Sequence, residues 1–246
     1  MKQHILVYKN LLITIYLSFI FPHIGLAESA LRNTNFYLQL SSYSYDEPNV
    51  MRKASSLPVL GIGAEYNSNH SYPFSANISA DLGKTNYSGT GETRNDPFYV
   101  LRGEISKKLY KTPFDIHAGF GTRYLYDDWG IGKTSTNHHT YDRSSTYNYA
   151  FTTFTHNVQN KKTLKIKVKK LIGGQQKIFI SHVPGYQNTK MDQRHGFGIE
   201  TEWTLTDELK LFTEYWNVGR SRTDINGYGI TEPPNTTFQI GIRYAL

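Results

Sequence analysis

The chain has 246 residues, of which 27 are Lys or Arg and 20 Asp or Glu, for a formal charge of +7, with no cysteine, 38% hydrophobic and 14% aromatic residues. The lack of cysteine excludes a disulfide framework, a thiolate metal site and a thiol nucleophile. So small a basic excess argues against a nucleic-acid partner. The hydrophobic share is low for a water-soluble core of this length, while Tyr at 19 and Gly at 20 are abundant, so the fold does not rest on a large aliphatic interior.

At the N-terminus, Lys2 and Lys9 supply positive charge, residues 11–21 form a short apolar core and Gly25-Leu26-Ala27 places small residues at cleavage positions. This pattern predicts a signal peptide over residues 1–27 and a single domain over 28–246. Losing the segment would remove Lys2 and Lys9 and leave a net charge of +5 from 25 bases against 20 acids. No apolar run beyond it is long enough for a spanning helix.

From there the sequence alternates between apolar and polar residues, interrupted by turn-rich connections. The alternation predicts strands at 35–45, 58–67, 72–85, 98–109, 114–126, 146–157, 163–181, 195–206, 210–219 and 235–246. The connections themselves alternate in length: long at 46–57, 86–97, 127–145, 182–194 and 220–234, short at 68–71, 110–113, 158–162 and 207–209. Short turns on one side and long loops on the other are the habit of outer-membrane barrels, and an even strand count puts both termini on the short-turn, periplasmic side. The expected fold class is all-β, a ten-stranded antiparallel transmembrane β-barrel in the outer membrane of a Gram-negative bacterium.

Parity assigns a lipid face to Leu60, Ile62, Ile78, Leu82, Leu101, Ile105, Phe120, Ile166, Val168, Phe197, Ile199 and Trp203, among others. The opposite parity points Glu65, Asp81, Glu104, Asp115, Glu200, Glu202 and Glu214 inward, together with Arg102, Arg123, Lys165, Lys167, Lys169, Lys210 and Arg243. An unpaired charge in a narrow lumen costs on the order of several kcal/mol, so these groups should brace one another across the bore. A bore of about eight strands is filled by its own side chains, and open channels appear at about sixteen. A narrow or plugged lumen is therefore expected. Strand 146–157 is ambiguous in facing, and Gly173-Gly174 predicts a bulge or bend in the overlong seventh strand. The Gly61/Gly63, Gly119/Gly121 and Gly196/Gly198 pairs are expected to make room for large neighbours in the lumen.

Candidate chemistry gathers in the loops. Asp127-Asp128, His138-His139 and Asp142 share one long connection, and His182, Asp192 and His195 share the next. A His polarised by a carboxylate at the rim could activate water, yet polar loops collect Asp and His without any such task. The motifs of the ten-stranded omptin proteases that surround such a site are not found here. Adjacent His138 and His139 would point apart, which disfavours a metal site, and nothing asks for a cofactor.

The last strand ends Phe238-Gln239-Ile240-Gly241-Ile242-Arg243-Tyr244-Ala245-Leu246. Gln239, Gly241, Tyr244 and Leu246 resemble the C-terminal signal through which outer-membrane barrels reach the barrel-assembly machinery, with Leu where Phe is commoner. Further stretches resemble a family of Gram-negative outer-membrane β-barrel proteins. They are Tyr45-Asp46-Glu47-Pro48 with Met51-Arg52-Lys53, residues 119–128, Pro184-Gly185-Tyr186 with Asp192-Gln193 and Gly196-Phe197-Gly198, Tyr215-Trp216-Asn217-Val218, and residues 232–237. The resemblance implies fold and location but no activity. The partners it leaves are outer-membrane lipid and lipopolysaccharide, the assembly machinery, and a host or envelope partner met by the outer loops. The leading expectation is a non-enzymatic barrel acting through its loops or in envelope structure. A rim hydrolase, protease or lipid A-modifying, and a narrow diffusion channel stand as alternatives.

Overall fold

A computed structural model describes residues 33–68, 74–89, 92–111, 114–127, 142–158, 162–179, 181, 187–225 and 228–246. The expected signal segment 1–27, Asp128, His138, His139, His182 and Pro184-Gly185-Tyr186 lie outside the described residues. The compact unit of interest runs from Asn35 to Leu246.

Every element in it is a strand: β1 (Thr34–Glu47), β2 (Met51–Ser55), β3 (Val59–Asn67), β4 (Phe74–Gly89), β5 (Glu92–Lys111), β6 (Asp115–Asp127), β7 (Asp142–Asn157), β8 (Thr163–Phe179), β9 (Thr189–Asp192), β10 (Gly196–Thr204), β11 (Leu209–Val218), β12 (Ser221–Ile225), β13 (Tyr228–Glu232) and β14 (Asn235–Ala245). β1 pairs with β2, β3 and β14; β8 pairs with β10, which returns through β11 to β14. The sheet thus closes on itself. Because β2 with β3, β9 with β10, β11 with β12 and β13 with β14 occupy one position each, the result is a closed antiparallel barrel of ten strands. Closure leaves no unpaired edge around the wall, which is the one way a sheet can sit in lipid.

Alternation places the apolar side chains outside. Leu60, Ile62, Ile78, Leu82 and Phe120 are each more than 60% exposed, and Leu101, Ile105, Val168, Phe197 and Trp203 stand on the same outer face. Tyr99, Tyr124 and Tyr126 cluster beside this band on the long-hairpin side, with ring centroids 5.2 to 5.9 Å apart.

The strands run further than the apolar pattern indicates. The connection at 86–97 is mostly ladder, with Asn86 opposite Asn95 and Ser88 opposite Thr93. The connection at 46–57 contains β2, turning through Glu47-Pro48-Asn49-Val50. Its closing bond runs from the Val50 amide to the Glu47 carbonyl at 3.0 Å, and Asn49 adopts φ 63°. Pro and then Asn at the two central positions suit that turn. Likewise 182–194 contains β9, and 220–234 contains β12 and β13. Beyond the apolar band the outer face is polar, so the two-residue rhythm loses its hydrophobic half while backbone pairing continues.

β7 settles its facing with Tyr147, Tyr149, Phe151 and Thr153 inward and Phe154 outward. In β8 the register shifts opposite Asn148 and Tyr149, leaving Ile172 unpaired beside Gly173. The interior is less uniformly polar than parity alone suggests. Tyr43, Tyr45, Met51, Val59, Tyr87, Phe98, Val100 and Leu125 form a buried apolar cluster inside the wall towards the long hairpins.

Candidate functional site

The lumen is where the titratable side chains converge. Seen from the short-turn end, the first layer holds Asp115 with Lys108 at 2.8 Å and Glu65 with Lys165 at 3.7 Å. Glu202 lies 3.1 Å from Lys210 and 2.7 Å from Arg243, and Arg243 also reaches Glu200 at 3.2 Å. Deeper in, Lys167 bridges Glu104 and Glu200, and Lys169 lies 2.9 Å from Glu200 and 2.7 Å from Glu214. Arg102 closes the ring, donating through Nη1 to Asp81 at 2.5 Å and through Nε and Nη2 to Glu214 at 3.1 and 2.8 Å.

Neutral groups complete the mesh. Gln39 and Gln239 each donate to Asp81, and the Tyr149 hydroxyl donates to Glu104 at 2.8 Å. This is what a buried charge requires: an opposite partner and hydrogen bonds for its remaining lone pairs or protons. Arg123 departs from the pattern. It is 1% exposed and lies under the Tyr147 ring, 5.5 Å from its centroid.

Above the charged mesh sits an aromatic layer. Trp216 meets Tyr149 edge-on at 5.1 Å and Tyr147 at 5.7 Å, while Lys169 lies 5.4 Å from both the Trp216 and Tyr149 rings. Gly121 and Gly198 make this possible: a Cβ would stand 2.5 Å from Tyr149 Cζ at the first and 2.9 Å from Trp216 Cδ2 at the second. A cavity of about 440 Å³ remains below, lined by Asn77, His117, Thr155, Lys165, Lys210 and Arg243 among others.

A second charged cluster closes the lumen above the aromatic layer. Arg143 lies 3.0 Å from Glu47, 3.1 Å from Asp127 and 3.2 Å from Glu232, and Lys53 lies 3.2 Å from Asp96 and 3.7 Å from Asp127. Sequence reasoning missed this cluster because Glu47, Lys53, Asp96, Arg143 and Glu232 fall in stretches read as loop. The signal was present: Tyr45-x-Glu47 and Arg143-x-Ser145-x-Tyr147 carry the inward parity past the expected strand ends.

Asp127 is therefore an ion-pair partner of Lys53 and Arg143 on the lumen side. Asp192 pairs with Arg194 at 3.0 Å in the open, His195 is exposed and Asp142 accepts from the Tyr126 hydroxyl at 2.6 Å. Among the described residues no group of His, Cys, Asp or Glu could hold a metal ion. Of the residues resembling an assembly signal, Gln239 is buried in the lumen, Gly241 packs on Ser41, and Tyr244 and Leu246 face outward.

The chain is similar in structure to bacterial barrels. Over 87% of its length, and all of the other's, it matches the beta domain of the Bordetella autotransporter BrkA at a TM-score of 0.46 and 9% identity. It matches the translocator domain of the autotransporter NalP from Neisseria meningitidis over 94% of its length and 98% of that chain, at 0.42 and 10% identity. With the Ralstonia pickettii toluene transporter TbuX the figures are 87% of this chain, 77% of that chain, 0.38 and 13% identity. No protein-family model matches the sequence, and no curated protein is significantly similar to it.

The upper cluster should respond to pH in two stages. Burial alone would raise the Asp127 carboxyl, but Lys53 and Arg143 outweigh it and hold the group below the ordinary carboxylate range. Burial lifts Glu47 above that range, against the pull of Arg143 and with a further push from Glu232. Asp127 thus contributes stability that is lost as pH falls through its depressed value. Glu47 contributes in the opposite sense, favouring the fold below its ordinary value and losing that contribution as pH rises through its raised one. After correction for intrinsic rates, amide exchange at 143–147 should stay slow in mild acid and quicken only in strong acid. Quickening that begins in mild acid would mean that Lys53 and Arg143 do not hold Asp127.

Proposed function

We propose that this chain is an integral outer-membrane β-barrel of a Gram-negative bacterium whose lumen is closed, and that it acts through the hairpins it raises above the membrane. The observation that carries this reading is the filling of the bore. Lys169 and Trp216 are fully buried, Arg143 is 1% exposed, and charged mesh, aromatic layer and upper cluster follow one another along the axis. Around this filled interior the outer surface is a belt of Leu, Ile, Phe and Trp, an arrangement suited to lipid and unfavourable in water. Strands that continue past the belt as paired hairpins, β1–β2, β4–β5 and β12–β13, support a role in surface contact.

Planar-bilayer recording tests the closed bore. The protein should give conductance near the baseline, and replacing Trp216 and Tyr149 by Ala should leave it there, since the charged clusters above and below still close the bore. A large conductance from the unaltered protein would instead favour the diffusion channel. Flotation of the processed chain with membranes, protease clipping of β4–β5 in intact cells and heat-modifiable gel mobility together test the location. A chain that stays monomeric in water without detergent would overturn it.

A further inference from the structure

Outside the lumen, one sector of the wall has a shape and charge of its own. Across β5 to β8 the outer face dips into an apolar trough of about 800 Å³. Ala118, Ala150 and Thr152 line it together with larger neighbours such as Ile105, Phe120 and Val168.

At the lip of the trough stands Lys170. It faces outward among apolar neighbours, opposite Ala150 on β7 and Phe197 on β10, with Ile172 exposed beyond it. A cation on a lipid face is unfavourable unless its amine reaches the polar interface and an anion. Further along the same face, Lys177 on β8 is paired directly opposite Lys190 on β9. Both point outward, since their neighbours Gln176, Thr189 and Met191 are buried. Like charges set opposite one another across an antiparallel pair are destabilising. None of these three lysines has an ion-pair partner among the described residues.

From these placements we infer that the outer face of β8 and β9 binds a phosphate-bearing membrane lipid, with acyl chain in the trough and phosphate held by Lys170, Lys177 and Lys190. One anionic headgroup relieves both anomalies, supplying a direct counter-charge to the Lys177–Lys190 pair, whose neighbour Asp192 on the same face is taken up by Arg194, and a destination for the Lys170 amine. Lys170 and Lys177 are about 23 Å apart along the strand at about 3.3 Å per residue. Two lysine side chains reaching toward each other narrow that gap, so a headgroup with phosphates at two positions fits better than one with a single phosphate. Anionic headgroups are drawn to basic residues at such an interface, and the apolar trough continuous with Lys170 selects a lipid over a free anion.

The inference rests on the membrane reading above, and the test separates the two. Unaltered protein, the triple variant Lys170→Gln, Lys177→Gln, Lys190→Gln and the triple Lys→Arg variant are purified in detergent. Binding of bisphosphorylated lipid A, its monophosphorylated form, phosphatidylcholine and inorganic phosphate is read by native mass spectrometry. The site predicts retention of one bisphosphorylated molecule, weakened about tenfold in the Gln variant, preserved in the Arg variant, weaker with one phosphate and absent with phosphatidylcholine. Equal binding to all variants, equal binding of phosphatidylcholine, or inorganic phosphate binding as tightly as the lipid would each overturn it. Heat-modifiable mobility is scored in the same samples. If it persists while binding is indifferent to the lysines, only this site fails; if the unaltered protein lacks it, the membrane reading fails.

Discussion

Replacing Glu214 by Leu is expected to destabilise the barrel by about 3–5 kcal/mol, the cost of breaking a buried ion pair by removing one partner. Glu214 accepts from Arg102, from Lys169 at 2.7 Å and from the Trp216 indole at 3.0 Å, so it joins the charged mesh to the aromatic layer. Without it, Arg102 keeps only Asp81 and Gln239, and Lys169 keeps Glu200 and a distant Glu104. Lys210→Ala provides the contrast. That side chain is 32% exposed and pairs with Glu202 at 3.1 Å, where water replaces the lost partner. Its removal should cost about 0–1 kcal/mol. Urea unfolding of protein refolded into lipid vesicles measures both, and equal shifts would show that the mesh does not brace the bore.

Gly121→Val is expected to cost nearly as much, by a different route. Its Cβ would stand 2.5 Å from Cζ of Tyr149 and 2.7 Å from the hydroxyl. That ring is fixed by the Trp216 edge, the Lys169 amine and its bond to Glu104, so it cannot step aside without losing them. Overpacking should cost about 1–3 kcal/mol, and leaving the hydroxyl–carboxylate bond unmade about 1–3 kcal/mol more. Tyr149→Ala should be destabilising by itself, and in combination should recover part of the Gly121→Val loss, since valine then enters space the ring vacated. The double-mutant cycle reads this coupling. Strict additivity would mean that the glycine serves the backbone and not the ring above it.

Much of the wall was legible because its two faces differ in kind. Leu60-Gly61-Ile62-Gly63-Ala64-Glu65 states its facing by itself, as does Leu164-Lys165-Ile166-Lys167-Val168-Lys169. β7 was not legible: Tyr147-Asn148-Tyr149-Ala150-Phe151-Thr152 carries aromatic rings on one parity and small residues on the other, and either could face lipid. The outcome depends on Gly121, one strand away, which leaves room for the Tyr149 ring on the lumen side. The hairpin extensions escaped notice for a related reason, since Tyr87, Ser88, Thr93 and Asp96 vary between polar and aromatic without an apolar outer half.

What the residue order determined alone was the period of two, the sign of each face and the near balance of inward charge, because these depend only on a side chain and its neighbours along one strand. Which acid meets which base was decided by closure of the sheet. Arg102 on β5 reaches Glu214 on β11, and Arg143 on β7 gathers Glu47, Asp127 and Glu232 from three other strands. Such partners face each other across a bore whose width and stagger are properties of the whole cylinder, and no local pattern encodes them.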